Sequence, residues 1–146
     1  MKKLLFIFLL ASSQLSTTSC AKKDDPAAAA PTNNQLILGR WDLAKRETTF
    51  SPTTSTFKDN SILYAKGDSY LTFETATVIS YDKSISPTSG TYTISNNQLS
   101  TTSGGTTNAV QINQLTANQL VLQDSYVARS NANTNVTATN IYTYQR

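Results

Sequence analysis

Hydrophobic and polar residues alternate along much of this chain. Leu71 and Phe73 are interleaved with Tyr70, Thr72 and Glu74, and Tyr92 and Ile94 with Thr91, Thr93 and Ser95. A period of two places alternate side chains on opposite faces of an extended backbone, so each such run reads as a half-buried strand. Candidate strands recur at short spacing: LGRWDLAKRETTF, SILYA, SYLTFET, TVISYD, GTYTISN, QLSTTS, AVQINQL, QLVLQDSY and NIYTYQR. Turn clusters such as ISNNQL and LTANQL sit between paired runs, which is the signature of hairpins. Threonine, serine, tyrosine, isoleucine and valine dominate from Leu36 onward, and these residues suit a pleated surface. The expectation is an all-β domain of about eight strands meandering antiparallel. Closing them into an up-and-down barrel would remove the exposed edges that recruit other chains. A two-layer β-sandwich is the alternative.

The N-terminal segment has a different pattern. Lys2 and Lys3 precede the apolar run LLFIFLL, and ASSQLSTTS follows it. That order is the layout of a bacterial secretory signal. The apolar run is far shorter than the roughly 20 residues that span a bilayer. Cys20, the single cysteine, falls just beyond the small-residue stretch and resembles the acylated cysteine of bacterial lipoproteins, with Thr17 where their usual pattern has leucine. The resemblance implies a signal peptide over residues 1–19, an acyl (palmitate-type) anchor on Cys20 and attachment to the outer membrane of the cell envelope. Cleavage after Ala21, releasing an unanchored periplasmic protein, is the alternative. Lys23, Asp24 and Asp25 resemble the signals that export some lipoproteins to the cell surface; a solvated charge cluster reads equally well. AKKDDPAAAAPTNNQ has no apolar periodicity, so residues 20–35 are expected to form a tether. The domain then occupies 36–146.

The strand pattern carries a second resemblance. Gly39-Arg40-Trp41 opens the first strand, YLTFET follows as a third-strand motif, SGTYTISNNQLS contains a Gly-x-Tyr-x-Ile hairpin, INQLTANQLVLQ forms a late hairpin, and IYTYQR closes the chain. Together these resemble the lipocalin-like domains of small bacterial lipoproteins. The resemblance implies a closed barrel in which Trp41 packs across one end as a plug, with Arg146 stacked on it.

Charge and chemistry narrow the functional classes. Lys2 and Lys3 belong to the leader, which leaves ten basic residues against nine acidic ones. Without a clustered basic face the chain has no nucleic-acid signature. It contains no histidine, so no side chain titrates near neutrality by default and no Ser-His triad can form. No metal site or cofactor is expected. Seven acids, Asp42, Glu47, Asp59, Asp68, Glu74, Asp82 and Asp124, are scattered without a spacing that favours a catalytic pair, and an enzyme is not expected. The glycines of Ser103-Gly104-Gly105-Thr106 read as a hairpin turn. Binding is better supplied. Eight-stranded barrels either fill their interior or hold one small ligand, and Tyr64, Phe73, Tyr81, Tyr92 and Tyr126 are the candidate ligand contacts. Two stretches read as long loops, SPTTSTFKDN and DSYVARSNANTNVTATN. The functional expectation is a membrane-tethered binding protein holding a small apolar or amphipathic molecule. The alternative is a solid-core surface module contacting a glycan or partner protein through its loops.

Overall fold

A computed structural model describes residues 29–54, 56–129 and 135–146. The expected signal peptide, Cys20 with its neighbours Lys23 to Asp25, and most of the expected tether lie outside the described residues. Among the described residues, nine strands follow one helical turn. They are α1 (Asn33–Leu36), β1 (Gly39–Ser51), β2 (Asn60–Leu63), β3 (Ser69–Phe73), β4 (Thr77–Asp82), β5 (Ile85–Ser95), β6 (Gln98–Ser103), β7 (Thr106–Leu115), β8 (Gln119–Arg129) and β9 (Asn135–Gln145).

Strands β3 to β9 pair antiparallel in chain order, and β9 returns to β1. The first half of β1 pairs with β3, from Gly39↔Phe73 to Asp42↔Tyr70, so β1 and β3 to β9 form a closed eight-stranded antiparallel barrel. β2 lies outside the circle and pairs with the second half of β1, Lys45↔Leu63 to Thr48↔Asn60. The barrel, and not the sandwich, is the architecture.

Turn chemistry explains the tightest corners. Asn96 and Asn97, at φ of 50° and 59°, join β5 to β6, and Gly104 and Gly105, at 56° and 79°, join β6 to β7. Two-residue loops with both residues at positive φ match the right-handed twist of the strands they connect. Gly90, on β5, is required for a different reason. A Cβ there would run into the Thr102 carbonyl of β6, so only glycine lets the two strands approach at this point.

A bulge in β1 sets which side chains face inward. The β1–β9 register shifts between Leu43 and Lys45. Before the bulge, buried Trp41 and Leu43 point into the barrel. After it, the inward positions are Arg46, Thr48 and Phe50, paired with Tyr142, Asn140 and Ala138. The single extra residue thus replaces Lys45 and Glu47 by Arg46 and Thr48 on the inner wall.

One end of the barrel is solid. Trp41 is completely buried and donates its indole N–H to the Ile37 carbonyl at 2.6 Å. Arg146 lies over the indole, with Cζ 3.9 Å from its centroid, and donates to the Leu36 and Leu38 carbonyls at 2.6 and 2.5 Å. These bonds dock α1 onto the barrel base, where Asn33 also reaches Asn97 at 3.3 Å. Residues 33–35, expected to be tether, therefore belong to the folded domain. The one-turn helix is stabilised locally by the Gln35 side chain, which accepts the Thr32 N–H at 2.9 Å.

The second expected loop is mostly strand. β8 continues to Arg129 and β9 begins at Asn135, with pairs from Asp124↔Asn140 to Arg129↔Asn135. The remaining residues of that stretch, 130–134, lie outside the described residues. The first expected loop, between β1 and β2, is held by its own contacts. Asp59 accepts the Phe50 N–H at 2.8 Å, and Phe57 packs on Phe50 with ring centroids 5.2 Å apart.

Candidate functional site: the barrel cavity

Above the Trp41 end the barrel is hollow. A cavity of about 360 Å³ lies inside it, walled by residues of β3 to β9. Its floor is apolar: Leu71, Val78, Leu99, Val110 and Leu122, with the rings of Tyr142 and Tyr144. Toward the mouth, Ser80, Thr88, Ser89, Thr101, Thr102, Ser103 and Asn108 replace the aliphatic residues. Part of this rim is internally bonded, with Ser103 Oγ donating to the Ser89 carbonyl at 2.8 Å. The volume is at the small end of the range for ligand pockets, and a lining of apolar surface with a few polar groups is their usual composition.

The alternation along β8 explains the gradient. Leu120 and Leu122 are buried at 0% and 4% exposure, Asp124 is half-buried, and Tyr126 is 51% exposed. These four occupy successive inward positions from base to rim. Asp124 is thus a carboxylate on the cavity wall. Its Oδ1 accepts from Asn140 Nδ2 at 2.8 Å, and Tyr142 Oη lies 3.4 Å from Oδ2. Asn140 in turn accepts the Thr48 hydroxyl at 2.8 Å. A polar thread therefore crosses β1, β9 and β8 on the inner face. Arg46 lies on the same face, and its Nε is buried with no hydrogen-bond partner among the described residues.

Burial governs the phenols. The Tyr144 hydroxyl is pushed well above the ordinary tyrosine value by desolvation, reinforced by its neighbours Tyr142, Tyr64 and Asp124. Tyr142 is raised by desolvation first and by the Asp124 charge second, while Arg46 opposes the shift. Tyr142 thus feels opposite charges from Asp124 and Arg46.

The five tyrosine and phenylalanine candidates are dispersed. Tyr64 lines a separate small cavity of about 170 Å³ beside Asp42, Lys66 and Arg146. Phe73 is 2% exposed and lies in the packed base, with Tyr92 edge-on at 5.0 Å. Tyr92 turns its hydroxyl to the Glu74 carbonyl at 2.8 Å and borders an outer groove near Asn34 and Leu38. Tyr81 pairs with Tyr70 and stacks on it at 4.7 Å, on the face opposite Ser80 and the cavity. Arg40 covers Tyr70 at 3.7 Å, and its own guanidinium is held by Asp42 at 2.7 Å. Tyr126 stands at the rim. None of the five borders the barrel cavity, whose wall is built from aliphatic and hydroxyl residues. Asp124, Tyr142 and Tyr144 do border it, and the period-two phase of Leu120 and Leu122 carried into Asp124 is the signal that points to the first of them.

The outer groove beside α1 encloses a comparable volume, about 380 Å³, but six of the described residues line it, against sixteen for the barrel cavity. The barrel interior is the better site because seven strands wall it. Among the described residues no three acids, cysteines or histidines come together as a metal-binding group.

The sequence profile of the lipocalin-like domain family matches residues 37–122, from Ile37, two residues before the plug strand, through β8 position Leu122. The chain belongs to the lipocalin-like domain family. No curated protein matches the chain. Lipocalin-like domains generally bind ligands rather than catalyse reactions, and the hollow barrel is of that ligand-binding type.

Proposed function

We propose that this lipocalin-like protein holds one small apolar or amphipathic molecule in its barrel while an acyl anchor on Cys20 ties it to the outer membrane of the cell envelope. The observation that carries the binding reading is the cavity itself, an apolar floor of Leu71, Val78, Leu99, Val110 and Leu122 beneath a hydroxyl-rich mouth. Removing the apolar part of a ligand from water supplies affinity of about 25 cal/mol per Å². The hydroxyls meet its polar end without demanding one geometry. The anchor rests on the lipoprotein-like N-terminus, Lys2 to Cys20.

Native mass spectrometry of the protein purified from its own host, followed by solvent extraction, tests the binding reading. A stoichiometric small-molecule adduct is expected. A bare mass that persists after incubation with octanol and similar amphiphiles would leave the alternative, a solid-core surface module that contacts a glycan or partner protein through its loops. The anchor is tested separately by the mass of the mature N-terminus: an acylated Cys20 is expected, and an unmodified chain beginning at Lys22 would refute it.

A further inference from the structure

Resting on the barrel-binding reading, the geometry points to a ligand whose polar end is a cation, an ammonium or a similar positively charged donor, seated on Asp124. Among the described residues, Asp124 is, apart from the two phenols, the one ionisable side chain on the cavity wall. A carboxylate offers about four lone-pair positions. Here one is filled well, by Asn140 at 2.8 Å, and a second only weakly, by Tyr142 at 3.4 Å. Among the described residues the ion pairs are Arg40–Asp42, Lys45–Glu47 and Lys83–Asp68, and Asp124 belongs to none of them. A half-buried carboxylate with spare acceptor capacity is stabilised by any donor that approaches from the open side, most of all by a charged one.

The surroundings select the same way. Around Asp124 the wall consists of neutral residues: Leu122 below it, Val110 across the β7–β8 seam, and the hydroxyls of Thr101, Ser103 and Asn108's amide toward the mouth. Among the described residues, Arg46 is the cation on the inner face nearby. It is reached past Tyr142, does not border the cavity, and forms no ion pair with Asp124. An anionic head group in this cavity would face Asp124 directly and find no cation among the described residues of the wall. A fatty acid is therefore the wrong class, and an amphipathic amine of similar length is the right one.

Three probes with one tail separate the readings: octylamine, octanol and octanoate, titrated into the protein at neutral pH by calorimetry. Octylamine is expected to bind at least about tenfold more tightly than octanoate, with octanol between them, as one charge-assisted hydrogen bond requires. Asp124→Asn retains an acceptor for Asn140. It is expected to bring octylamine down to the octanol affinity measured on the same variant, and a cooperative thermal unfolding transition reports an intact barrel. Octanol binding with octylamine no tighter than octanoate would overturn the cation assignment and leave the binding reading standing. No binding of any of the three would overturn both. Should the variant fail to bind octanol, the order of the three probes on the unaltered protein decides alone.

Discussion

The two ends of this barrel are built from opposite materials. At the base, Trp41, Phe73, Ile37 and Leu120 are each no more than 2% exposed, and the last residue of the chain lies over the indole. Toward the mouth, the same inward-facing rows of the same strands carry Asp124, Asn140, Thr48 and a group of serines and threonines around empty space. Close packing and hollowness exclude each other at any one level of a barrel, because a cavity forfeits the contacts that stabilise a core. Separating them along the axis lets one sheet hold both. Stability is concentrated at the base and up to the cavity floor, where Val78, Leu99, Leu122 and Tyr144 are buried, while the hydroxyl-lined walls toward the mouth contribute little to it.

Substitutions at the two ends should therefore behave differently. Trp41→Ala removes a buried aromatic and the indole bond to Ile37, so a loss of about 3–5 kcal/mol is expected in denaturant unfolding. A melt unchanged by that substitution would remove the distinction between base and mouth. Tyr144, at the cavity floor, links the two through pH. Its folded-state pKa is raised, so its contribution is fully present below the unfolded value of about 10 and is lost as pH rises toward the folded one. Unfolding free energy should fall by about 1.4 kcal/mol per pH unit above about 10, and Tyr144→Phe should flatten that slope. Arg146→Ala, which deletes the stack and two carbonyl bonds, should cost about 1–2 kcal/mol in the same unfolding assay, with cavity binding unaffected. Thr101→Val on the cavity wall should change stability by no more than about 0.5 kcal/mol while altering the affinity for octanol. A stability loss at Thr101 as large as that at Arg146 would mean that the mouth is as much a core as the base.

Much of this architecture is readable from residue order. Alternation located the strands, Asn96-Asn97 and Gly104-Gly105 located tight corners, and Gly39-Arg40-Trp41 marked the plug strand. The upper halves of β8 and β9 looked like a loop because, Tyr126 and Val136 apart, their inward residues are small or polar: Asp124, Ala128, Ala138 and Asn140. Burial inside a closed barrel does not require an apolar residue where a hydrogen-bonded pair or a small side chain fills the space, so the hydrophobic signal fades although the ladder continues. The cavity wall was hidden for a related reason. Aromatic residues suggest a binding surface, yet Tyr81 faces outward and Phe73 fills the base, and only the phase of neighbouring strands reveals it. That phase depends on register. The β1 bulge, which turns Arg46 and Thr48 inward, has no distinctive residue to announce it.

The seam between β1 and β9 has a consequence for how the protein comes into being. It joins the first strand of the domain to the last; the Thr48–Asn140 hydrogen bond spans 92 positions of sequence. Pairings so distant in the chain make for high contact order and slow folding, since nearly the whole polypeptide must be ordered before they form. The barrel cannot close on a partly delivered chain. Until Tyr144 and Arg146 arrive, β1 has an unsatisfied edge and Trp41 lacks its cover. A protein built this way needs its full length on one side of any membrane it crosses before it has an interior at all.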